Sequence, residues 1–269
     1  MERTQTIPMP SLTDAPSPGT RIRLLSYNIQ VAIGTTRARH YFTESWKHVL
    51  PHAQIYDNLT HIARAISGFD IVALQEVDAG SLRSSFINQT EFLAKKADFP
   101  FWSQQTNRKF GKIARHSNGL LSRFRPTEVH HHKLPGLPGR GVMVVRYGTH
   151  DNPLVLLIMH MALGRNARMR QFAYVAEIVN QYEHVVVMGD LNCQPESEEM
   201  RFLLSATDLC EPCHGLKTFP SWRPARTIDH ILTSPSLEVH DVHVLQHLLS
   251  DHLPIAMEIN LPDKFHFAA

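Results

Sequence analysis

The sequence predicts an α/β fold on mixed rather than purely parallel sheets. Three observations lead there. Short apolar runs bounded by turn residues recur along the chain, as buried strands do. Helical patterns lie between some of them, but without a strict strand–helix alternation. Several strand patterns are joined by loops too short to carry a crossover helix, which requires antiparallel pairs beside any parallel ones. At 269 residues the chain is long for one domain, yet no Gly/Ser-rich linker and no internal repeat divides it, so a single compact unit is expected.

The elements follow in order. RIRLLSYNIQ, Arg21 to Gln30, reads as a strand that ends in polar residues where it meets a loop. A polar, His- and Arg-rich segment runs to about Leu50. From about Tyr56 to Ser67, Leu59, Ile62, Ala63 and Ile66 share one helical face, and Gly68 ends the helix. FDIVALQEV is a short apolar strand closing on Gln75 and Glu76. Further strands are predicted at Gly119 to Ser122, Val142 to Tyr147, Leu154 to His160, Val185 to Asp190, Ile228 to Thr233 and Ile255 to Ile259. Helices are predicted at about Arg168 to Gln181 and Glu196 to Ser205. PGLPGRG, Pro135 to Gly141, is a turn-rich loop with strand patterns on both sides.

Composition narrows the classes. Hydrophobic residues at 43% and charged residues at 19% describe an ordinary globular chain, neither disordered nor coiled coil. The formal net charge of +2 arises from 27 Lys and Arg against 25 Asp and Glu, too even a balance to nominate nucleic acid as a partner. The longest apolar run, Leu154 to Met161, is far below the ~20 residues of a membrane span. The first twenty residues are rich in Pro, Ser and Thr without an apolar h-region, and read as a flexible arm rather than a signal peptide. Three cysteines, an odd number, argue against a disulfide framework and point to a reducing, cytoplasmic setting. Cys210 and Cys213 form a lone C-x-x-C before His214, but a structural zinc site needs about four ligands and no second pair exists. His130 to His132 are contiguous, so in a strand they alternate faces and are expected at the surface.

The chemistry lies in where the acidic, amide and imidazole residues fall. Asn28, Glu76, His160, Asp190, Asn192, Asp229, Asp251 and His252 all sit at or just beyond predicted strand ends. Carboxylates converging at the mouths of several strands make an oxygen-rich pocket of the kind Mg²⁺ prefers. Hydrolysis of a phosphate ester needs neutralised non-bridging oxygens, an in-line water with a base, and help for the departing oxygen. A carboxylate-held metal, an aspartate and histidines supply those needs.

Six segments then make the pattern specific: SYNIQ, LQEV, MHMALG, VVMGDLNCQP, TIDHIL and LSDHLPI. In order and spacing they resemble the successive motifs of the endonuclease/exonuclease/phosphatase superfamily, from about Arg21 to Ile259. That superfamily includes abasic-site endonucleases, pancreatic-type deoxyribonucleases, bacterial sphingomyelinases, inositol polyphosphate phosphatases and deadenylases. The resemblance implies a four-layered α/β sandwich, two packed mixed β-sheets flanked by helices, with the site at one rim of the sheets. It implies a catalytic domain over 21–262 between an N-terminal arm at 1–20 and a tail at 263–269. It also implies Mg²⁺ or Mn²⁺ as cofactor, Glu76 as principal metal-binding carboxylate with Asn28 and Asp251 assisting, and Asp190 with Asn192 positioning and deprotonating the attacking water. His252, oriented by Asp229, would stabilise phosphoryl oxygens, and His160 would assist the leaving oxygen or else be a satisfied core histidine. Asn118 stands at a strand entry near the expected phosphate, as a substrate contact or a turn residue. Arg165, with Arg168 and Arg170, opens a helix as a phosphate patch or a solvated face.

Departures from the abasic-endonuclease pattern weigh against DNA repair. Gln30 stands where those enzymes carry an acidic residue, and His160 stands where they use Tyr. The expected reaction is phosphoester, foremost phosphodiester, hydrolysis by a monomer. The alternatives are a DNA or RNA nuclease, a sphingomyelinase- or phospholipase C-like lipid phosphodiesterase, and, last, an inactive binding scaffold.

Overall fold

A computed structural model describes residues 21–32, 52–111, 113–136, 138–212, 214–262 and 265. The expected N-terminal arm, most of the polar segment before Leu50, Cys213 and most of the C-terminal tail lie outside them.

The chain forms β1 (Arg21–Asn28), α1 (His52–Ile66), β2 (Ile71–Asp78), α2 (Gln89–Lys96), β3 (Phe101–Phe110), β4 (Ala114–Ser122), β5 (Glu128–Lys133), β6 (Gly141–Tyr147), β7 (Leu154–His160), α3 (Arg165–Val179), β8 (His184–Asp190), α4 (Glu198–Ala206), β9 (Asp229–Thr233), β10 (Val239–Val244) and β11 (Ile255–Asn260). One sheet has the order β10-β11-β1-β2-β4-β3, the other β5-β6-β7-β8-β9. The pairs β1–β2 and β7–β8 are parallel and the remaining neighbours antiparallel, so both sheets are mixed.

Side-chain alternation sorts these strands into four layers. Ile22, Leu24, Ile71 and Ala73 of the first sheet meet Met143, Val145, Leu156, Ile158, Val186 and Met188 of the second in a central core. The opposite faces of the same strands are also apolar. Leu25, Tyr27, Val72 and Leu74 pack under Leu59, Ile62 and Ile66 of α1 and Leu93 of α2. Val155, Leu157, Val185 and Val187 pack under Phe172 and Val175 of α3 and Leu203 of α4. Strands buried on both faces must read as continuous apolar runs, which is why Leu154 to Met159 contains no polar residue. Each fully buried Leu or Ile contributes ~1.5–3 kcal/mol, so these three clusters fix the strand ends, and hence the site, rigidly.

The structure adds elements that the apolar pattern does not reveal. β3 (FWSQQTNRKF) and β5 (EVHHHK) are edge strands, and α2 is a two-turn helix capped by Asn88, whose side chain accepts from Glu91 N. An edge strand exposes a face and a flank to water, so it tolerates the polar residues that hide it from a hydrophobicity reading. His130 to His132 lie on β5 with their side chains exposed or half-buried.

Candidate active site

Backbone register brings the polar residues together. In the second sheet His160 pairs with Asp190 across the parallel β7–β8 ladder, and Asp190 pairs with Asp229 across β8–β9. One row across three neighbouring strands therefore presents a histidine and two aspartates on one face at one end of the sheet. In the first sheet Asn28 pairs with Gln75, placing Glu76 beside it at the same rim.

Glu76 reaches its position through a β-bulge. Between Leu74↔Gly119 and Val77↔Ser117, two residues of β2 oppose the single residue Asn118 of β4. Glu76 takes up the extra length in the left-handed region, φ 54°. That conformation costs a non-glycine residue ~1–2 kcal/mol and turns the carboxylate out of the strand's alternation towards the site. Gly189, immediately before Asp190, has φ +149°, and a Cβ there would lie 1.9 Å from Met159 O. The G-D pair of the motif thus has a steric origin: β7 and β8 approach closely only where no side chain intervenes.

Asp190 is the hub. Its Oδ2 accepts from Asn28 Nδ2 at 3.1 Å and lies 3.3 Å from His160 Nε2 and 3.8 Å from His252 Nε2. Its Oδ1 accepts from the backbone N of Asn192 at 3.0 Å. Asn192 adopts φ 54° and donates from Nδ2 to Met161 O. Burial raises the Asp190 carboxyl to about 7, reinforced by Asp229 and Glu76 and opposed by His252 and the Asn28 hydrogen bond.

His252 is held in a hydrogen-bonded dyad. Its Nδ1 donates to Asp229 Oδ2 at 2.8 Å, and Thr218 Oγ1 donates to the same oxygen at 2.5 Å. Phe219 packs on the imidazole with ring centroids 4.9 Å apart. Burial pulls the imidazolium down, but Asp229 and Asp190 more than reverse it, lifting His252 to about 10. His252 is therefore a cation near neutral pH. The loop that carries it is pinned by Ser250 Oγ donating to Asn28 O, Ser221 N donating to Asp251 O and Leu253 N donating to Thr218 O.

His160 is the opposite case. Burial, then the cationic groups of Arg140, His252 and His116, hold it well below 6.5, so it is a neutral imidazole. Its Nδ1 lies 3.9 Å from Glu76 Oε1.

The chemistry of the donor set fits a hard divalent cation. Burial raises Asp251 to about 6, with the negative field of Glu76 adding to it and His252 opposing it. Carboxylates that lift one another carry uncompensated charge, which an oxygen-seeking cation removes. Asp190, Asp229 and His252 also offer ligand atoms within 4.8 Å of one another. The hydrogen bonds already joining Asp229 to His252 and Thr218 make that trio a proton-holding network first. Glu76, Asp251 and the Asn28 amide oxygen, which accepts one hydrogen bond from Gln30 N at 3.1 Å, are the other oxygen set.

Two expected residues are already engaged by other partners. Asn118 is buried and donates to Gly141 O at 3.1 Å, yet it lines the same pocket as Glu76 and His160. Arg165 is exposed and paired with Glu198, with Glu199 at 3.9 Å, so it braces α3 against α4 away from the carboxylates. Arg168 likewise binds Glu199, at 2.6 Å. The residues that sequence reasoning missed are Arg108, His116 and Arg140, which enclose a pocket of about 180 Å³ beside Glu76 and His160. The only signal for Arg140 was its place between glycines in PGLPGRG.

The sequence matches the model of the Endonuclease/Exonuclease/phosphatase family over residues 25–252. No curated protein sequence matches it. The fold is similar to an endonuclease/exonuclease/phosphatase from Beutenbergia cavernae, at 19% identity and TM-score 0.69 over 90% of this chain and 72% of that one. It is similar to a mannosyl-6-phosphatase from Bacteroides thetaiotaomicron, at 20% identity and TM-score 0.66 over 88% and 99% of the two chains. It is also similar to the human nocturnin catalytic domain with bound sulfate, at 17% identity and TM-score 0.64 over 92% and 95%.

Proposed function

Because the chain belongs to the endonuclease/exonuclease/phosphatase family, we propose that it is a divalent-metal-dependent hydrolase cleaving a phosphoester, foremost a phosphodiester, by attack of an activated water on phosphorus. The observation that carries this reading is Asp190, a buried carboxyl raised to about 7 and set between a neutral and a cationic histidine.

Asp190 takes the proton of the attacking water. A base poised near the working pH combines availability with driving force, and Asn28 and Asn192 fix its two oxygens. As the water oxygen bonds to phosphorus, the ester P–O bond breaks. The imidazolium of His252, locked by Asp229, donates from Nε2 to the non-bridging oxygens, whose negative charge grows in the transition state. His160, neutral, donates a hydrogen bond rather than a full proton. Glu76, Asp251 and Asn28 would hold Mg²⁺ or Mn²⁺, which when bound supplies charge neutralisation for the phosphoryl group and the departing oxygen. The departing oxygen takes its proton from solvent and Asp190 releases its own there, so the products are an alcohol and a phosphate or phosphomonoester.

The test is turnover of bis(p-nitrophenyl) phosphate, p-nitrophenyl phosphate, plasmid and sphingomyelin with Mg²⁺, Mn²⁺ or chelator. We expect at least one small phosphoester to be hydrolysed with metal and not with chelator, and Glu76→Gln to require more metal. If every phosphoester stays intact with both metals, the reading fails.

A further inference from the structure

His230 is a buried ionisable group that the chemistry above leaves without a task. It follows Asp229 on β9, and strand alternation sends its imidazole to the opposite face, the one shared with Leu232 under α3 and α4. The side chain is fully enclosed. Its Nε2 donates to Cys193 O at 2.9 Å, and its Nδ1 lies 2.8 Å from Glu211 Oε1. A carbonyl can only accept, so Nε2 carries a hydrogen, and the contact between Nδ1 and the carboxyl needs a second proton on its own axis. Glu211 is also enclosed, with 7% of its side chain exposed, and its Oε2 meets the exposed His214 Nδ1 at 3.3 Å. Glu211 is brought there by its neighbour Cys210, whose N and O bond to Thr233 O and N at 2.9 and 3.1 Å and lay the segment after α4 along β9.

Taking such a pair out of water is costly, and apolar side chains of like volume would pack as well or better. What an apolar residue cannot do at this position is hold Cys193 O. Cys193 directly follows Asn192, which is left-handed at φ 54° while its N donates to Asp190 Oδ1 at 3.0 Å and its Nδ2 to Met161 O at 3.1 Å. A residue other than glycine keeps that conformation only where its surroundings over-determine it. Asp190 and Met161 hold Asn192 itself, and His230 holds the chain just beyond it from the other face of the sheet.

Resting on the phosphoester reading above, we infer that His230 and Glu211 form a positioning clamp for the water-activating pair. Through Cys193 O they hold Asn192 left-handed, and Asn192 in turn holds Asp190 aimed at the attacking water. His230 points away from the reaction centre, so its effect on the reaction passes through Asn192.

The two ring nitrogens can be replaced one at a time, because a Gln amide nitrogen reaches the place of Nε2 and an Asn amide nitrogen that of Nδ1. The assay uses full-length protein with Mg²⁺ and whichever of bis(p-nitrophenyl) phosphate and p-nitrophenyl phosphate is turned over. His230→Asn should lower kcat by about ten- to a hundredfold with KM little changed, the loss expected when a reacting group is misplaced by about an ångström. His230→Gln should recover most of it. The losses of His230→Asn and Asn192→Ala should not multiply in the double variant. Unreduced kcat in His230→Asn, a loss carried in KM, or losses that multiply overturns the inference. Equal kcat in the Gln and Asn variants overturns it as well, since a general loss of packing would give that result. Should His230→Asn fail to fold, Glu211→Gln and Glu211→Ala make the same comparison. A Gln there can donate to Nδ1 of a neutral ring that still donates to Cys193 O, so its kcat should exceed that of the Ala variant, and equal values overturn the clamp. Amide hydrogen exchange reads the clamp without turnover. The Asn192 amide should exchange faster in His230→Asn, or in Glu211→Ala, than in the Gln variants, and an unchanged rate overturns the inference. If no ester is cleaved yet Asn192 exchange responds in this way, the hydrolase reading fails while the clamp stands.

Discussion

Asp229→Asn isolates the electrostatic core of the site. The carboxylate accepts from His252 Nδ1 at 2.8 Å and from Thr218 Oγ1 at 2.5 Å, and an amide oxygen can keep both bonds while losing the charge. Lifting the imidazolium from 6.5 to about 10 corresponds to roughly 5 kcal/mol of preference for the charged form, at ~1.4 kcal/mol per pH unit. Burial opposes that charge, and Asp229 leads the groups that sustain it. An opposite charge at such range is worth about one to three pH units, so the variant should lose the His252 proton correspondingly earlier. The assay is twofold: the basic limb of the kcat/KM profile on a phosphoester, and the imidazole nitrogens followed by NMR titration. Both should move to lower pH together, and activity should fall more at pH 9 than at pH 7. An unmoved imidazole titration, with the fold intact, would refute the assignment of Asp229 as the group that keeps His252 charged.

Two further outcomes follow from the same geometry. Asp190 and Asp251 have folded-state pKa values of about 7 and about 6, above the ordinary 3.8, so the folded chain holds their protons longer than the unfolded chain. These two carboxyls therefore contribute stability to the metal-free protein that is lost as pH rises from about 4 to about 7, against an opposite contribution from His160, which burial keeps neutral in the fold. Added Mg²⁺ should raise Tm near pH 7.5 and a chelator should reverse it, both readable by calorimetry. The carboxylate share is read by difference, and a metal-free Tm whose pH dependence is the same in Asp251→Asn as in the parent would contradict the carboxylate field described above. Gly189→Ala, whose Cβ would meet Met159 O at 1.9 Å, should cost at least about 3 kcal/mol in chemical denaturation, and an unchanged midpoint would show that the β7–β8 contact yields easily.

What the sequence disclosed follows from where burial is two-sided. β1, β2, β6, β7, β8, β9 and β11 are written in apolar runs, and their polar ends mark the rim where Asn28, Glu76, His160, Asp190, Asp229 and His252 gather. β3, β5 and β10 were illegible because these edge strands are exposed along much of their length, whereas β9, also at an edge, is buried throughout. The left-handed bulge at Glu76 carries no sequence signature of its own, since glutamate is not among the residues that favour positive φ. Arg108, His116 and Arg140 were missed for a related reason. They lie on a polar hairpin and a turn, and only the pairing of β3 with β4 and the fold-back of the β5–β6 loop set them beside Glu76. Arg165 shows the converse: an arginine close to His160 in sequence is turned by α3 towards Glu198.

Hydrolysis in ¹⁸O-labelled water tests the central chemistry most directly. With Mg²⁺ and a small phosphodiester, one labelled oxygen should appear in the phosphomonoester and none in the alcohol, at a rate that falls by ~10²–10⁴ in Asp190→Asn. Label in the alcohol, or undiminished labelling of the phosphomonoester in the variant, would contradict attack on phosphorus by a water that Asp190 deprotonates.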